Sequence, residues 1–250
     1  MGAVPFRPGL WTTVDPSPGH HPFMNIDEQG KLGRRSVIVG SAALLAGGLG
    51  VVPADAAVRP RRRVDFARWD PIDDRSTAAL APQRVVMHIA ATRDRDIYGP
   101  QKGPENSYAH FYNRRSGKPL QHQWLNRQAA AELGGSTSSI SVEHQGVEGD
   151  RMTSAQLTYL ARIFAWSHVY CGVPNRIATP GNTTGFAWHR LGVEGDFGDF
   201  DRTNRKTWCR RDTGEVWSSR VKTCPTDNFI DQIDDVFRIA QIWIRLYQNG

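Results

Sequence analysis

The sequence predicts a single α/β domain in which a central mixed β-sheet is flanked by helices. Short apolar or alternating segments at residues 84–92, 108–114, 120–124 and 139–145 predict strands. Apolar residues at helical spacing follow from 153 to 170 and again towards the C-terminus, so strands and helices interleave along the chain. With 250 residues and 39% hydrophobic content, the chain is long enough to bury one complete core.

Residues 24–57 have the features of an export signal. A charged start precedes an uncharged apolar stretch at 37–52, and small residues end the segment at Ala56. The pair Arg34-Arg35 directly before the apolar stretch indicates the twin-arginine route. The stretch has 16 residues, whereas a stable membrane span needs roughly 20. We therefore expect a secreted or cell-wall protein with no stable membrane insertion after signal cleavage.

The segments around this signal complete the predicted domain organisation. Residues 1–23 precede a better start at Met24, and we interpret them as an incorrectly assigned N-terminal extension. Residues 58–82 are rich in charge, Pro and Ala and predict a linker, so the folded domain is expected at 83–250.

The exported part of the chain is basic. Residues 1–57 contain four basic and four acidic side chains, so the remainder keeps the full net charge of +6. Such a charge suits an anionic cell wall and a nucleic acid equally well. The dense basic run at 59–63 is accompanied by no nucleic-acid-binding signature, and we expect no nucleic-acid partner.

The first predicted strand carries the first candidate ligand. Residues 84–92 form a nearly continuous apolar run, typical of a strand buried on both faces, with His88 at its centre. A buried imidazole without a partner costs about 1 to 3 kcal/mol, so His88 is expected to be hydrogen-bonded or bound to a metal. A polar surface loop follows, and then Ser116-Gly117 joins the next two strands into a hairpin.

The second half of the chain contains the clearest helix. In the strand at 139–145, Glu143 points away from the face that carries the apolar residues. Thr153 and Gln156 form a capping box, and Gly172 ends the helix that begins there. The stretch 191–221 predicts an irregular insertion, after which apolar periodicity from about residue 226 predicts one terminal helix.

Three cysteines in an exported protein form at most one disulfide and leave one thiol over. Cys224 lies two residues after Lys222 and just before the terminal helix, a setting that favours thiolate. Zinc accepts thiolate and imidazole, and a catalytic zinc site uses three protein ligands with the fourth position left to water. Cys171 and Cys209 are then a candidate disulfide pair, which the sequence leaves open.

Six segments, taken together and in order, resemble the zinc N-acetylmuramoyl-L-alanine amidases, the amidase type 2 family that includes the peptidoglycan recognition proteins. They are Val85-Val-Met-His-Ile-Ala-Ala-Thr92, Ser107-Tyr-Ala-His-Phe-Tyr-Asn113 with its continuation to Gln121, Ser139-Ile-Ser-Val-Glu143, Met152-Thr-Ser-Ala-Gln-Leu157, Trp188-His-Arg190 and Lys222-Thr-Cys-Pro225. No single segment is specific, but their order is, and the resemblance covers about residues 84–248.

The resemblance implies a function and a set of site residues. His88, His189 and Cys224 match the Zn²⁺ ligands, Glu143 matches the general base, and Lys222 matches a lysine placed to stabilise the oxyanion. The implied enzyme is a peptidoglycan hydrolase, monomeric by default, that cleaves the amide between N-acetylmuramic acid and L-alanine of the stem peptide through a zinc-activated water.

The chain departs from the family pattern at three places. Ala109 occupies the position where some branches carry a tyrosine base, and Tyr108 is expected to point to the other face, which favours Glu143 as the base. Cys224 and Pro225 are followed by Thr rather than Gly, and His189 lies 35 positions before Cys224, a longer span than in compact members.

Structural interpretations remain for several of these residues. Lys222 is alternatively a surface lysine, and Glu143 a strand-edge carboxylate paired with an arginine. Four other histidines are expected to be structural or solvent-facing, namely His110, His122, His144 and His168. Three tryptophans have two alternative interpretations, as the lining of a sugar-binding groove or as buried core residues. They are Trp188, Trp208 and Trp217.

Three other functions compete with the amidase. A non-catalytic peptidoglycan-binding module of the same fold is the first, although retention of Cys224 argues against it. A basic nucleic-acid binder is the second. A papain-like hydrolase that uses Cys224 and His189 is the third, and it predicts inhibition by thiol alkylation but not by chelation.

Overall fold

The computed structural model describes residues 63–72, 76–97, 108–192, 205–206, 216–218 and 224–249. All of these residues belong to one compact unit, Val52–Gly250. The other unit, Met1–Val51, lies outside the described ranges. The N-terminal extension and the twin-arginine signal at 24–57 also fall outside them and stay predictions.

A six-stranded sheet forms the centre of the domain. Its strands are β1 (Arg68–Trp69), β2 (Arg84–Met87), β3 (Phe111–Asn113), β4 (Leu120–Gln121), β5 (Ser139–His144) and β6 (Gly185–Trp188). Their order across the sheet is β1-β4-β3-β5-β2-β6. β3 and β4 are antiparallel, as the predicted hairpin requires, and every other neighbouring pair is parallel. The sheet is therefore mixed, which confirms the predicted fold class.

The first of two long helices packs against this sheet, and the second packs on the first. α1 (Ser154–Cys171) begins at the predicted capping box and ends at Gly172, whose φ of 77° is a left-handed conformation that glycine adopts without strain. Phe164 of α1 packs on Phe186 of β6, with ring centroids 5.5 Å apart. β2 lies between β5 and β6, and its three apolar residues are fully buried. Successive side chains of a strand point to opposite faces, so the burial of all three shows that β2 is covered on both faces, as its continuous apolar sequence predicts.

The C-terminal helix is divided in two, where the sequence predicts one. α2 (Asp227–Ile230) and α3 (Ile233–Asn249) are separated at Gln232. The buried Gln232 side chain accepts a hydrogen bond from the Met152 N–H at 2.7 Å and donates one to the Met152 carbonyl at 3.2 Å. These two hydrogen bonds lie at the position where the helix is interrupted. Their partner is 80 positions away along the chain, so the periodicity of the terminal segment cannot predict the interruption.

The linker prediction for 58–82 is wrong over its described part. Arg68–Trp69 is a strand that pairs in parallel with β4. Four apolar side chains of the segment are buried, namely Val64, Phe66, Ile72 and Leu80. Burial of apolar surface, which the charged and Pro-rich composition concealed, joins this segment to the core.

No helix in the described ranges is long and apolar enough to cross a membrane.

Candidate metal centre

A histidine directly follows each of two adjacent strands. β2 and β6 run in parallel with Met87 opposite Trp188, so the next residue on each strand, His88 and His189, reaches the same edge of the sheet. Both side chains are buried, and their ring centroids lie 4.3 Å apart. The strand register thus brings together two imidazoles that are far apart in sequence.

Cys224 reaches the same place from the chain just before α2. Its sulfur accepts a hydrogen bond from the backbone N–H of Ile89 at 3.2 Å, next to His88. The thiol in turn donates to the Ile89 carbonyl at 3.8 Å, so both backbone groups of Ile89 hold the sulfur in place. Thiolate is the form in which cysteine binds a metal.

His88, His189 and Cys224 together form a possible metal site. One donor atom from each lies within 4.8 Å of the others. Two imidazole nitrogens and one thiolate are a donor set that zinc prefers, and three protein ligands leave a fourth position for water. The partial burial of Cys224 keeps the centre within reach of solvent. The residues present therefore fit zinc.

Glu132 contacts this centre, and sequence reasoning missed it. Its Oε1 lies 3.2 Å from Nε2 of His88, and the two side chains are only 1% and 3% exposed. Glu132 precedes the short 3-10 helix Gly134–Thr137 and lies in the Ala-rich stretch 127–133, whose sequence indicates neither a strand nor a helix. The sequence signal that could have identified Glu132 is a lone carboxylate that follows three alanines. If such a stretch is buried, its carboxylate needs a partner.

Glu143 projects from the face of the sheet that carries His88. The His88 N–H donates to the Val142 carbonyl at 2.9 Å, and the His144 N–H donates to the His88 carbonyl at 3.2 Å. These two bonds set Glu143 beside His88 in a parallel ladder, where paired residues lie about 4.8 Å apart across the strands. The Glu143 side chain is half-buried, so solvent can reach it.

Tyr112 lies beside Glu143 on its other side. β3 pairs Tyr112 with Glu143, and the phenol donates a hydrogen bond to the Asp94 carbonyl. Burial raises the pKa of Tyr112 above its usual value, and the negative charge of Glu143 raises it further. Tyr112 is therefore a neutral hydrogen-bond donor at neutral pH, which makes it unsuitable as a general base.

A cleft opens next to the chain neighbours of the centre. It has a volume of about 490 Å³, and its lining residues are Glu148, Gly149, Arg190, Lys206, Thr226, Asp227 and Asn228. Arg190 directly follows His189, and Thr226 lies two residues after Cys224. Asp227 and Asp231 pair with the two cations, at 2.9 Å from Arg190 and 2.8 Å from Lys206.

The fold of this chain is similar to the folds of several solved structures. No protein-family model and no curated protein matches the chain. The endolysin N-acetylmuramoyl-L-alanine amidase LysCS from Clostridium intestinale is 13% identical, with a TM-score of 0.46, over 70% of this chain and 95% of that one. The Staphylococcus aureus hydrolase AmiA, in complex with its ligand, is 16% identical with a TM-score of 0.47, over 73% and 88%. An AmpD derivative is 16% identical with a TM-score of 0.43, over 71% and 96%.

Three residues singled out by sequence lie outside the described ranges: Lys222, Trp208 and Cys209. The role of Lys222 therefore stays a prediction. Cys171, the expected disulfide partner of Cys209, is a free cysteine at the C-terminal end of α1. Burial raises its pKa to about 12, so this thiol stays protonated at neutral pH.

The other four histidines in the described part of the chain are held by hydrogen bonds, as their structural interpretation predicts. Each donates a ring N–H to a backbone carbonyl: His110 to Arg127, His122 to Asp70, His144 to His88 and His168 to Val173. Burial lowers the pKa of His110 to about 4 and that of His144 to about 3, so both rings are neutral at pH 7.

The aromatic residues near the centre have structural roles. Trp188 and Trp217 are fully buried and do not line a sugar-binding groove. The indole N–H of Trp217 donates to the Trp188 carbonyl at 3.3 Å, and the Arg84 guanidinium lies 4.5 Å from the Trp217 ring centroid. The Tyr108 hydroxyl accepts a hydrogen bond from the Ser76 N–H at 2.8 Å, which agrees with the prediction that Tyr108 is not the base.

Proposed function

We propose that this chain is a zinc-dependent N-acetylmuramoyl-L-alanine amidase that hydrolyses peptidoglycan. The observation that carries the proposal is the convergence of His88, His189 and Cys224, whose donor atoms lie within 4.8 Å of one another. These are the three residues that the sequence resemblance implies as zinc ligands. The proposed substrate bond is the amide between the lactyl group of N-acetylmuramic acid and L-alanine of the stem peptide.

In this proposal His88, His189 and Cys224 hold Zn²⁺ and leave one position to water. Zinc with three protein ligands lowers the pKa of a bound water towards about 7 and polarises a carbonyl oxygen. An amide carbonyl is a poor electrophile. A metal that activates both the attacking water and the carbonyl therefore suits the proposed reaction.

The protein groups in the mechanism move protons and stabilise charge. Glu143, half-buried on the face of His88, accepts a proton as the water oxygen bonds to the lactyl carbonyl carbon. The ammonium of Lys222 stabilises the oxyanion that develops on the carbonyl oxygen. As the carbon–nitrogen bond breaks, Glu143 returns the proton to the departing L-alanine nitrogen. The products are the free lactyl carboxylate and a peptide with a new amino terminus.

The proposed setting of this reaction is the cell wall. The signal at 24–57 would direct the folded chain to export by the twin-arginine route, and the remaining net charge of +6 favours association with an anionic wall. We propose a monomer without a nucleic-acid partner and without stable membrane insertion.

A non-catalytic peptidoglycan-binding module is the second candidate. It would use the same fold and cleft without an ordered metal. The complete donor set favours catalysis, because a module that only binds has no need for a half-buried thiol next to two buried imidazoles.

The deciding experiment incubates purified protein lacking residues 1–57 with isolated peptidoglycan and counts new L-alanine amino termini. We expect release that stops after complete zinc removal and returns when zinc is restored. Cys224→Ala is expected to be inactive in the same assay. Release that continues in metal-free protein overturns the zinc mechanism. Inhibition by thiol alkylation with indifference to chelation would support the papain-like alternative, and wall binding without release would support the binding module.

A further inference from the structure

Glu132 has the contacts of a residue that acts on the metal centre through His88. Its Oε1 is 3.2 Å from His88 Nε2, and both side chains are excluded from solvent. Glu132 does not belong to the group of donor atoms that lie within 4.8 Å of one another. The carboxylate therefore contacts one residue of the candidate site and is not itself among the three donors.

The chain around Glu132 is firmly packed. The Ser136 hydroxyl donates a hydrogen bond to the Glu132 carbonyl. A Cβ on Gly135 would lie 2.4 Å from Cβ of Trp217 and 3.2 Å from Oε2 of Glu132, so only glycine fits between them. Trp217 is in turn fixed by hydrogen bonds of its backbone N–H to Gly192 and of its indole to Trp188. Packing of this kind holds the carboxylate at a fixed position relative to β2.

We propose that Glu132 is a positioning residue that accepts the Nε2–H of His88 and thereby presents Nδ1 of that ring to the metal. This inference deepens the proposed function and rests on it. A metal ligand must be a neutral imidazole, and a carboxylate bound to one ring nitrogen selects the tautomer whose other nitrogen is free to coordinate. It also fixes the orientation of the ring and increases its basicity as a ligand.

Charge balance gives the same carboxylate a second effect. A divalent cation in a buried site is costly unless negative groups compensate it. The Cys224 thiolate supplies one negative charge and the Glu132 carboxylate supplies another, so a centre with both is neutral once the ion is bound. Loss of Glu132 should therefore weaken metal binding even when all three ligands are intact.

The first test measures zinc affinity in the full chain by competition with a chromophoric chelator. Glu132→Ala is expected to weaken zinc binding by about 10- to 100-fold, the usual effect of removing a carboxylate that supports a histidine ligand. Glu132→Gln keeps an acceptor for Nε2–H but loses the charge, so its affinity should lie between those of wild type and Glu132→Ala. Glu148→Ala removes an exposed carboxylate from the nearby cleft and should bind zinc as wild type does.

The second test reads the ring directly and needs no variant. Nitrogen-15 NMR of the zinc-loaded full chain should show a proton on Nε2 of His88 and the metal on Nδ1. Metal on Nε2 overturns the inference, and so does wild-type zinc affinity in both Glu132 variants. If Glu132→Ala does not fold, as judged by circular dichroism, Glu132→Gln and the NMR measurement decide. Absence of zinc binding by the wild-type chain would instead overturn the proposed function, so the two failures are distinguishable.

Discussion

The sulfur of Cys224 accepts a hydrogen bond from the backbone N–H of Ile89, although the two residues are 135 positions apart. Ile89 directly follows His88, so the chain just after β2 both carries one imidazole of the candidate metal site and contacts its sulfur. Tertiary structure rather than local folding thus assembles the donor set. This arrangement makes the contribution of each donor separable by substitution.

Cys224→Ala should abolish stoichiometric zinc binding. Two imidazoles alone provide fewer donors than the three that zinc sites of this kind use. The measurement is metal content by mass spectrometry after dialysis against trace zinc. Cys171→Ala is the matched control, because Cys171 is the other free cysteine in the described part of the chain and lies outside the site. A Cys224→Ala protein that retains one zinc per chain would contradict the ligand assignment.

Glu143→Gln should reduce kcat while zinc content is unchanged. General base catalysis contributes about 10²- to 10⁴-fold to rate, and glutamine keeps the shape of the side chain but cannot accept the proton. Steady-state hydrolysis of a soluble muropeptide gives kcat and KM separately. Asp235→Asn, the corresponding change at an exposed carboxylate of α3 outside the cleft, should leave both constants unaltered. Near wild-type kcat in Glu143→Gln would assign the base to another group.

Acid should destabilise the metal-free protein, in part through His110. Burial lowers the pKa of His110 from 6.5 to about 4. The unfolded chain takes up a proton near pH 6.5 whereas the folded chain does not, so the stabilisation is complete above that pH. It is lost progressively as the pH falls from 6.5 to about 4, by up to about 1.4 kcal/mol per pH unit.

Urea unfolding at a series of pH values measures this dependence. His110→Gln removes the titrating ring, so its free energy of unfolding should decline less steeply than that of wild type below pH 6.5. Equal slopes for the two proteins would show that His110 is not the group responsible.

Gly135→Ala should destabilise the fold and weaken zinc binding together. The added Cβ would lie 2.4 Å from Cβ of Trp217, and relief of such a clash typically costs about 1 to 3 kcal/mol. Movement of this segment would also displace the Glu132 carboxylate from His88. Gly181→Ala is the control, since its Cβ meets nothing within 4 Å. Gly135→Ala should melt at a lower temperature and bind zinc more weakly than Gly181→Ala. Equal melting temperatures and zinc affinities would contradict the packing described for Trp217.

Local patterns predicted the elements whose stability is local. The capping box at Thr153 and the glycine at 172 define α1 as the sequence indicates, and the apolar run around His88 forms the buried strand β2. The ligand set came from a resemblance among six ordered segments rather than from spacing. Its members lie on separate elements, so their proximity depends on the parallel register of β2 and β6.

Features that depend on distant contacts were missed. Glu132 meets His88 across 44 positions, and its Ala-rich surroundings indicate no strand or helix that would place it. The strand Arg68–Trp69 has only two residues, too few for a period to be visible, and its pairing with β4 defines it. Gln232 interrupts the terminal helix through hydrogen bonds to Met152 that no local pattern contains.

A metal ion held by both His189 and Cys224 would also restrict the unfolded chain. Thirty-five positions separate the two residues along the chain, and an ion shared between them would act as a reversible cross-link across that interval. In a chain-entropy model, a closure of this length restricts the unfolded ensemble by about 4 kcal/mol. If the proposed function holds, zinc supply would then govern the stability of the folded protein as well as its activity, since each loss of the ion would remove the cross-link.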